Sequence, residues 1–203
     1  PAPMTLGELE GKLEGTPLWL PFAAPAGAAT ALGELVARYP ANAFAPAYGE
    51  LHRLLFGLSF VNDDGELVST GRRTIKGVAG YDLSKLFLGS RGRAGLITRV
   101  RLRLFRRPPE AVFWRTRGAT PGDAVSGARV CRLEADGETL LYADGHPGDV
   151  DAAAERLRRA MSDLAEVSRG DAAGRDFAAA VAALPYRPPA EPPAAPAFSD
   201  LYI

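Results

Sequence analysis

Residues 76–98 read Lys-Gly-Val-Ala-Gly-Tyr-Asp-Leu-Ser-Lys-Leu-Phe-Leu-Gly-Ser-Arg-Gly-Arg-Ala-Gly-Leu-Ile-Thr, and this stretch decides the fold. A short helical segment ending at Gly89 runs into a glycine-dense loop, 89–95, which opens a strongly alternating strand over 95–105. The order is informative. Glycines that cradle phosphates in dinucleotide-binding and phosphate-loop folds precede a helix, so a nicotinamide-binding reading is disfavoured here. Glycine at 89, 92 and 95 lets main-chain N–H and C=O groups approach a ligand with no Cβ between, or it makes a tight helix-to-strand connection. Asp82 is placed to cap the short helix, and Gly89 to end it.

Working outward, basic residues dominate 91–107: Arg91, Arg93, Arg99, Arg101, Arg103, Arg106 and Arg107. Their alternation with Ile97, Val100, Leu102 and Leu104 puts the arginines on one face of a strand and the apolar residues on the other. That basic face is either solvated or made for an acidic partner or a phosphate-bearing cofactor. Upstream, 52–62 reads as an apolar strand joined by an Asp63-Asp64-Gly65 turn to a second strand at 66–72. Helices are expected over 5–13, with Thr5 and Glu8 in capping-box positions, and over 30–39. A short buried strand falls at 18–20, and 40–48 reads as loop. Pro108-Pro109 marks the boundary, because neither residue can donate to a ladder. Beyond it come strands at 111–117, 128–135 and 139–143, helices at 149–167 and 171–184, and a proline-rich tail. Three parts are expected: 1–108, 109–185 and 186–203.

In wording, the opening stretch resembles the second half of the FAD-binding domain of vanillyl-alcohol-oxidase-like FAD-linked oxidases, and within them the FAD-binding subunits of bacterial glycolate oxidases. The matching residues are Lys76, Val78, Ala79, Gly80, Tyr81, Asp82, Ser84, Leu86, Gly89, Gly92, Gly95, Ile97 and Thr98. A second matching segment runs from Leu20-Pro21-Phe22 through Gly27-Ala28-Ala29-Thr30-Ala31-Leu32-Gly33-Glu34-Leu35-Val36-Ala37. Glu34 stands where the family has a glycine, Arg93 and Ala94 where it has Thr-Leu, and Gly77 where it has Asn. The resemblance implies an α+β fold: the second half of a PCMH-type FAD-binding domain, mainly antiparallel sheet with flanking helices, followed by a small ferredoxin-like α+β cap. It implies that the family's N-terminal pyrophosphate-loop subdomain is lacking here. An exposed sheet face carrying Leu54, Leu55, Phe56, Leu58 and Phe60 is then expected. It implies FAD as cofactor, touched by Thr30, Gly33, Lys76, Tyr81, Asp82, Gly89, Gly92, Gly95 and Ile97. The activity implied is oxidation of a 2-hydroxy acid alongside a catalytic flavoprotein subunit and an iron–sulfur subunit. The alternative is a flavin-free assembly subunit that keeps half of the fold and works by self-association or by binding a partner.

Composition agrees with a globular chain: 203 residues, 47% hydrophobic and 24% charged. With 24 basic against 24 acidic residues, no global field points to nucleic acid or an anionic membrane. No apolar run reaches the roughly 18 residues of a membrane span, so the expected location is cytoplasmic, with membrane association only through a partner. The single cysteine, Cys131, rules out an internal disulfide and sits in a strand pattern as a buried thiol. His52 and His146 have no carboxylates at ligand spacing, so no metal site is expected. Nothing resembles a hydrolytic triad or a carboxylate pair, and no catalytic base is assigned.

Overall fold

The structure is a computed structural model and describes residues 3–25, 27–71, 83–117, 129–135 and 137–184. Lys76, Tyr81, Asp82 and the proline-rich tail lie outside the described residues.

Helix α1 (Leu6–Leu13) starts where the sequence requires it. The Thr5 Oγ1 accepts from the Glu8 N–H at 3.2 Å while the Thr5 N–H donates to Glu8 Oε2 at 2.9 Å, a reciprocal capping box. Strand β1 (Leu18–Trp19) follows, then α2 (Leu32–Arg38), which ends at Tyr39 in the left-handed region. Two single-turn helices come next, α3 (Ala45–Tyr48) and α4 (Leu51–Leu54). They correct the sequence reading at two points: 40–48 is not all loop, and His52 lies on a helical turn rather than on a strand. Asn42 explains the first, since its side chain donates to the carbonyls of Pro21 and Gly49 and accepts from the Ala23 and Phe44 N–H groups. One buried amide thereby replaces the ladder bonds a strand would have supplied.

Strands β2 (Leu55–Val61), β3 (Leu67–Gly71) and β4 (Leu96–Leu102) form an antiparallel sheet in the order β3-β2-β4, with β4 at the edge. A bulge at Thr98 shifts the register, so that Ser59 pairs with Arg99 and Phe60 with Ile97. The Thr98 hydroxyl fills the gap by donating to the Ser59 carbonyl at 3.1 Å. Ile97 and Val100, three apart, thereby both reach the core, which strict alternation would forbid. The expectation of an exposed apolar face on β2 is overturned: Leu54 and Leu58 are fully buried and Leu55 nearly so. They belong to one core cluster with Phe22, Leu35, Val36 and Phe87. Large apolar residues are exposed instead at Leu67, Leu86 and Leu96.

Strand β5 (Phe105–Arg106) pairs with β1 and leads into a second antiparallel sheet. It contains β6 (Glu110–Thr116), β7 (Arg129–Ala135), β8 (Glu138–Gly145) and β9 (Ala165–Arg169), in the order β7-β8-β6-β9. Helix α5 (Pro147–Ala160) covers one face through Val150, Ala154 and Leu157 against Val112, Trp114 and Leu141. Helix α6 (Asp171–Ala182) covers the other, Phe177 packing among Phe113, Leu140 and Tyr142. Trp19, Phe44 and Tyr48 join that second core, so apolar packing runs continuously across the Pro108-Pro109 pair.

The long helix expected over 149–167 stops at Ala160, because Met161 is extended (φ −138°, ψ 115°). Met161 and Leu164 still pack on the α5 core, which is why the helical period seemed to continue through them. Asp163 anchors the turn by accepting from the Thr116 hydroxyl at 2.9 Å and the Arg117 N–H at 2.8 Å, and β9 then pairs with β6.

Candidate functional site

A cavity of about 1090 Å³ lies between α2 and the open edge of β4. Its apolar wall includes Met4, Leu32, Ala37, Leu96 and Ile97. Gly33 sits in the first turn of α2, where an added Cβ would stand 3.5 Å from the Ile97 side chain, an ordinary contact distance. The glycine loop closes one end and is hooked to the helix terminus. The Gly89 N–H donates to the Val36 carbonyl at 3.1 Å and the Arg91 N–H to the Ala37 carbonyl at 2.9 Å. These bonds satisfy carbonyls that a helix end otherwise leaves open.

The expected site residues divide. Gly33, Gly92, Gly95 and Ile97 all line the cavity. Gly89 is outside the lining and serves as the hook, and Thr30 ties the start of α2 to α1 through its carbonyl, which accepts from the Leu6 N–H at 2.9 Å. Gly95 has a structural duty as well. At φ 123° a side chain there would bring its Cβ to 2.7 Å from the Val61 carbonyl oxygen, so only glycine lets the loop enter β4. Gly92, at φ 84°, faces open space.

Four charged residues line the cavity: Glu34, Arg38, Arg91 and Arg99. Glu34, the charge that replaces the family glycine, is held by Arg38 one turn on at 2.7 Å. The sequence reading did not place Arg91 or Arg99 in the site, although the basic run 91–107 was the signal that could have found them.

A second polar cluster lies in the seam where α3 packs on the second sheet. Asp144 is fully buried and accepts from the Tyr48 hydroxyl and, at 2.6 Å, from Arg129 Nε. The Arg129 guanidinium stacks 4.9 Å over the Tyr48 ring. Burial, reinforced by the Asp144 charge, raises the Tyr48 and Tyr142 hydroxyls well above the usual tyrosine range. Burial also pushes the Cys131 thiol up to about 12. A cysteine held neutral in this way is no nucleophile. Among the described residues no group of His, Cys, Asp and Glu could hold a metal ion.

No family model matches the chain. Among characterised proteins, it is 33% identical over 144 residues to the mitochondrial cytochrome-type D-lactate dehydrogenase of Arabidopsis thaliana, covering 67% of this chain and 25% of that one. It is 28% identical over 159 residues to the glycolate oxidase subunit GlcE of Escherichia coli, covering 73% of this chain and 45% of that one. The fold superposes on alkyldihydroxyacetonephosphate synthase with a TM-score of 0.59 at 16% identity, over 85% of this chain and 42% of the other. The chain is a relative of FAD-linked oxidases of the D-lactate dehydrogenase and glycolate oxidase kind. It spans between a quarter and just under half the length of these two curated relatives. The later parts of the two segments that carried the resemblance, within 31–37 and 91–98, line one cavity.

Proposed function

We propose that this chain holds the flavin of an FAD-linked 2-hydroxy-acid oxidoreductase of the glycolate oxidase type, acting with a catalytic flavoprotein subunit and an iron–sulfur subunit. The observation that carries the reading is the meeting of Gly33, Gly92, Gly95 and Ile97 at a single cavity. The residues present fit FAD. An apolar wall suits a planar ring, a glycine loop allows close backbone approach, and a rim richer in arginine than in carboxylate suits phosphates.

Gly33, Gly92, Gly95 and Ile97 would hold the cofactor, and the family wording adds Lys76, Tyr81 and Asp82. When bound, FAD supplies a hydride acceptor for the α-carbon of a 2-hydroxy acid. This chain's part is positional. Ile97, Leu32 and Ala37 exclude water from one side of the cavity, and the Glu34–Arg38 pair keeps the carboxylate from repelling an anionic ligand. Residues 1–108 form the flavin-holding part and 109–185 the cap, and the protein acts in the cytoplasm. No described helix is long and apolar enough to cross a membrane.

The test is an absorbance spectrum of the purified chain, alone and after titration with FAD. Flavin bands that stay with the protein through gel filtration support the reading. A colourless protein that ignores FAD overturns it and turns attention to a flavin-free assembly role.

A further inference from the structure

A second, smaller cavity of about 140 Å³ lies between α1 and α6, where the first part of the chain meets the second. Leu20, Phe22 and Phe44 give it an apolar floor, and the Glu14–Arg175 ion pair, at 2.9 Å, joins the two helices. Two features of its wall run against what folding alone favours. Gly11 stands inside α1, where glycine is a poor helix former, and no neighbour explains it: an added Cβ would meet nothing within 4 Å. Gly174, across the cavity on α6, is by contrast dictated by packing, since a Cβ there would come within 3.2 Å of the Trp19 ring. Glu10 is half-buried, has neither a hydrogen bond nor an ion pair among the described residues, and is held by desolvation above the ordinary carboxylate range. A helix glycine without a packing reason and a carboxylate without a partner, side by side on one cavity, are the kind of local inconsistency that marks a functional site.

The opposite charge is present as well. Arg107 lines the same cavity and is half-buried, and its guanidinium is fixed in place: Nε donates to the Thr16 carbonyl at 3.1 Å and Nη2 to the Leu13 carbonyl at 3.4 Å. Those bonds leave the Nη1 donors without an acceptor among the described residues. Glu14 and Arg175 neutralise each other, so the cavity offers one unengaged carboxylate and one positioned guanidinium beside an apolar floor. A simple cation or anion would answer only one of the two, whereas a zwitterion answers both. A cavity of roughly 150 Å³ takes benzene, so a ligand of about six to eight non-hydrogen atoms fits here. We infer that this cavity binds a small apolar α-amino acid, with its ammonium group on Glu10, its carboxylate on Arg107 and its side chain against Phe22 and Phe44. The inference does not rest on the flavin reading of the larger cavity.

The experiment follows the Trp19 indole N–H of the full chain by NMR. Trp19 lines the cavity, and Trp114, the other tryptophan, lies in the core under α5 and serves as internal control. The probes are L-valine, isobutylamine, which is valine without its carboxylate, and 3-methylbutyrate, which is valine without its amine. The wild-type chain is expected to show a saturable shift of the Trp19 signal with L-valine, and each half-molecule to bind at least about tenfold more weakly, the scale of one charge-assisted bond. Glu10→Gln is expected to weaken L-valine about tenfold with no fall in melting temperature, because it removes a carboxylate that has no partner. Gly11→Leu fills the open space with a better helix former, and is expected to raise the melting temperature while abolishing the Trp19 response. A glycine kept only for folding would not couple a gain in stability to a loss of binding. The inference is overturned by a wild-type chain that gives no saturable response to L-valine, by isobutylamine or 3-methylbutyrate binding as tightly as L-valine, or by L-valine binding that survives Glu10→Gln and Gly11→Leu unchanged.

Discussion

The seam around Asp144 and the cavity beside β4 are built from the same kinds of residue, arginine, carboxylate, small and apolar side chains, yet they end in opposite states. In the seam the carboxylate is fully buried, Tyr48 and Arg129 share it, and Trp19, Phe44, Tyr142 and Phe177 close over it. In the cavity the carboxylate is half-exposed, an arginine has no partner among the described residues, and apolar side chains face open space. A buried polar group is tolerated only when satisfied, so the seam can hold α3 against the second sheet but cannot also bind. A site for a ligand must leave some of that satisfaction undone, and the cavity does.

The most forceful way to break the comparison is to empty the seam. Asp144→Ala removes the acceptor of Tyr48 and the partner of Arg129 together, and should destabilise the chain by about 3 kcal/mol, the low end for a broken buried pair because Arg129 is itself half-exposed. Urea unfolding measures it. A loss under about 1 kcal/mol would mean that the apolar contacts alone hold α3 on the second sheet. Gly95→Ala should follow at about 2 kcal/mol, from a strained φ and a Cβ driven against the Val61 carbonyl. That variant tests whether the loop's entry into β4, rather than its cavity face, dictates glycine. Gly92→Ala at open space should cost about half as much, only the left-handed penalty.

The seam also predicts a pH response. Cys131 has a folded-state value raised to about 12 from about 9, so the neutral thiol is favoured by folding. Its contribution is fully present below about pH 9, where neither state ionises, and is lost as pH rises from there, because the unfolded chain releases its proton first. At pH 10 the loss should be about 1.4 kcal/mol relative to pH 8, one tenfold step beyond the unfolded value. Tyr48 and Tyr142, raised in the same direction, steepen the decline above about pH 10. Urea midpoints at the two pH values measure it, and Cys131→Ala should flatten the difference between them. An undiminished difference in that variant would shift the cause to the tyrosines.

What could be read from the sequence, and what could not, follows the same division. Local chemistry was legible: the capping box at Thr5 and Glu8, the turn at 63–65, the glycine loop, and the burial of Cys131 all depend on near neighbours. The motif wording located both walls of the cavity, because Gly33 and Ile97 both line it. Long-range events were not legible. Strand β9 was hidden because Met161 and Leu164 keep a helical spacing although they lie beyond the end of α5, and only pairing with β6 reveals it. Leu54 and Leu58 were expected on an open face because nothing local shows that α2 and the Phe22 segment cover them. Arg91 and Arg99 could be seen in the basic run, but they could not be singled out from its other arginines until the structure placed them at the cavity.

The smallest expected effect is the sharpest test, because it separates folding from binding at one residue. Gly33 is helical, its φ is ordinary, and an added Cβ would meet Ile97 only at normal contact distance. By stability alone alanine is the better residue there, since glycine in a helix is worse by roughly 0.5–1 kcal/mol. Gly33→Ala should therefore raise stability by about 0.5 kcal/mol, the lower figure applying because the position is in the first turn. The same methyl group would stand in the cavity wall where α2 approaches Ile97, and should weaken FAD binding while the melting temperature rises. A variant that gains stability and keeps full affinity would show that Gly33 is a bystander and that the cofactor, if bound, lies nearer the loop. A variant that loses both would show that glycine is there for packing, and the cavity would then be no different in kind from the seam.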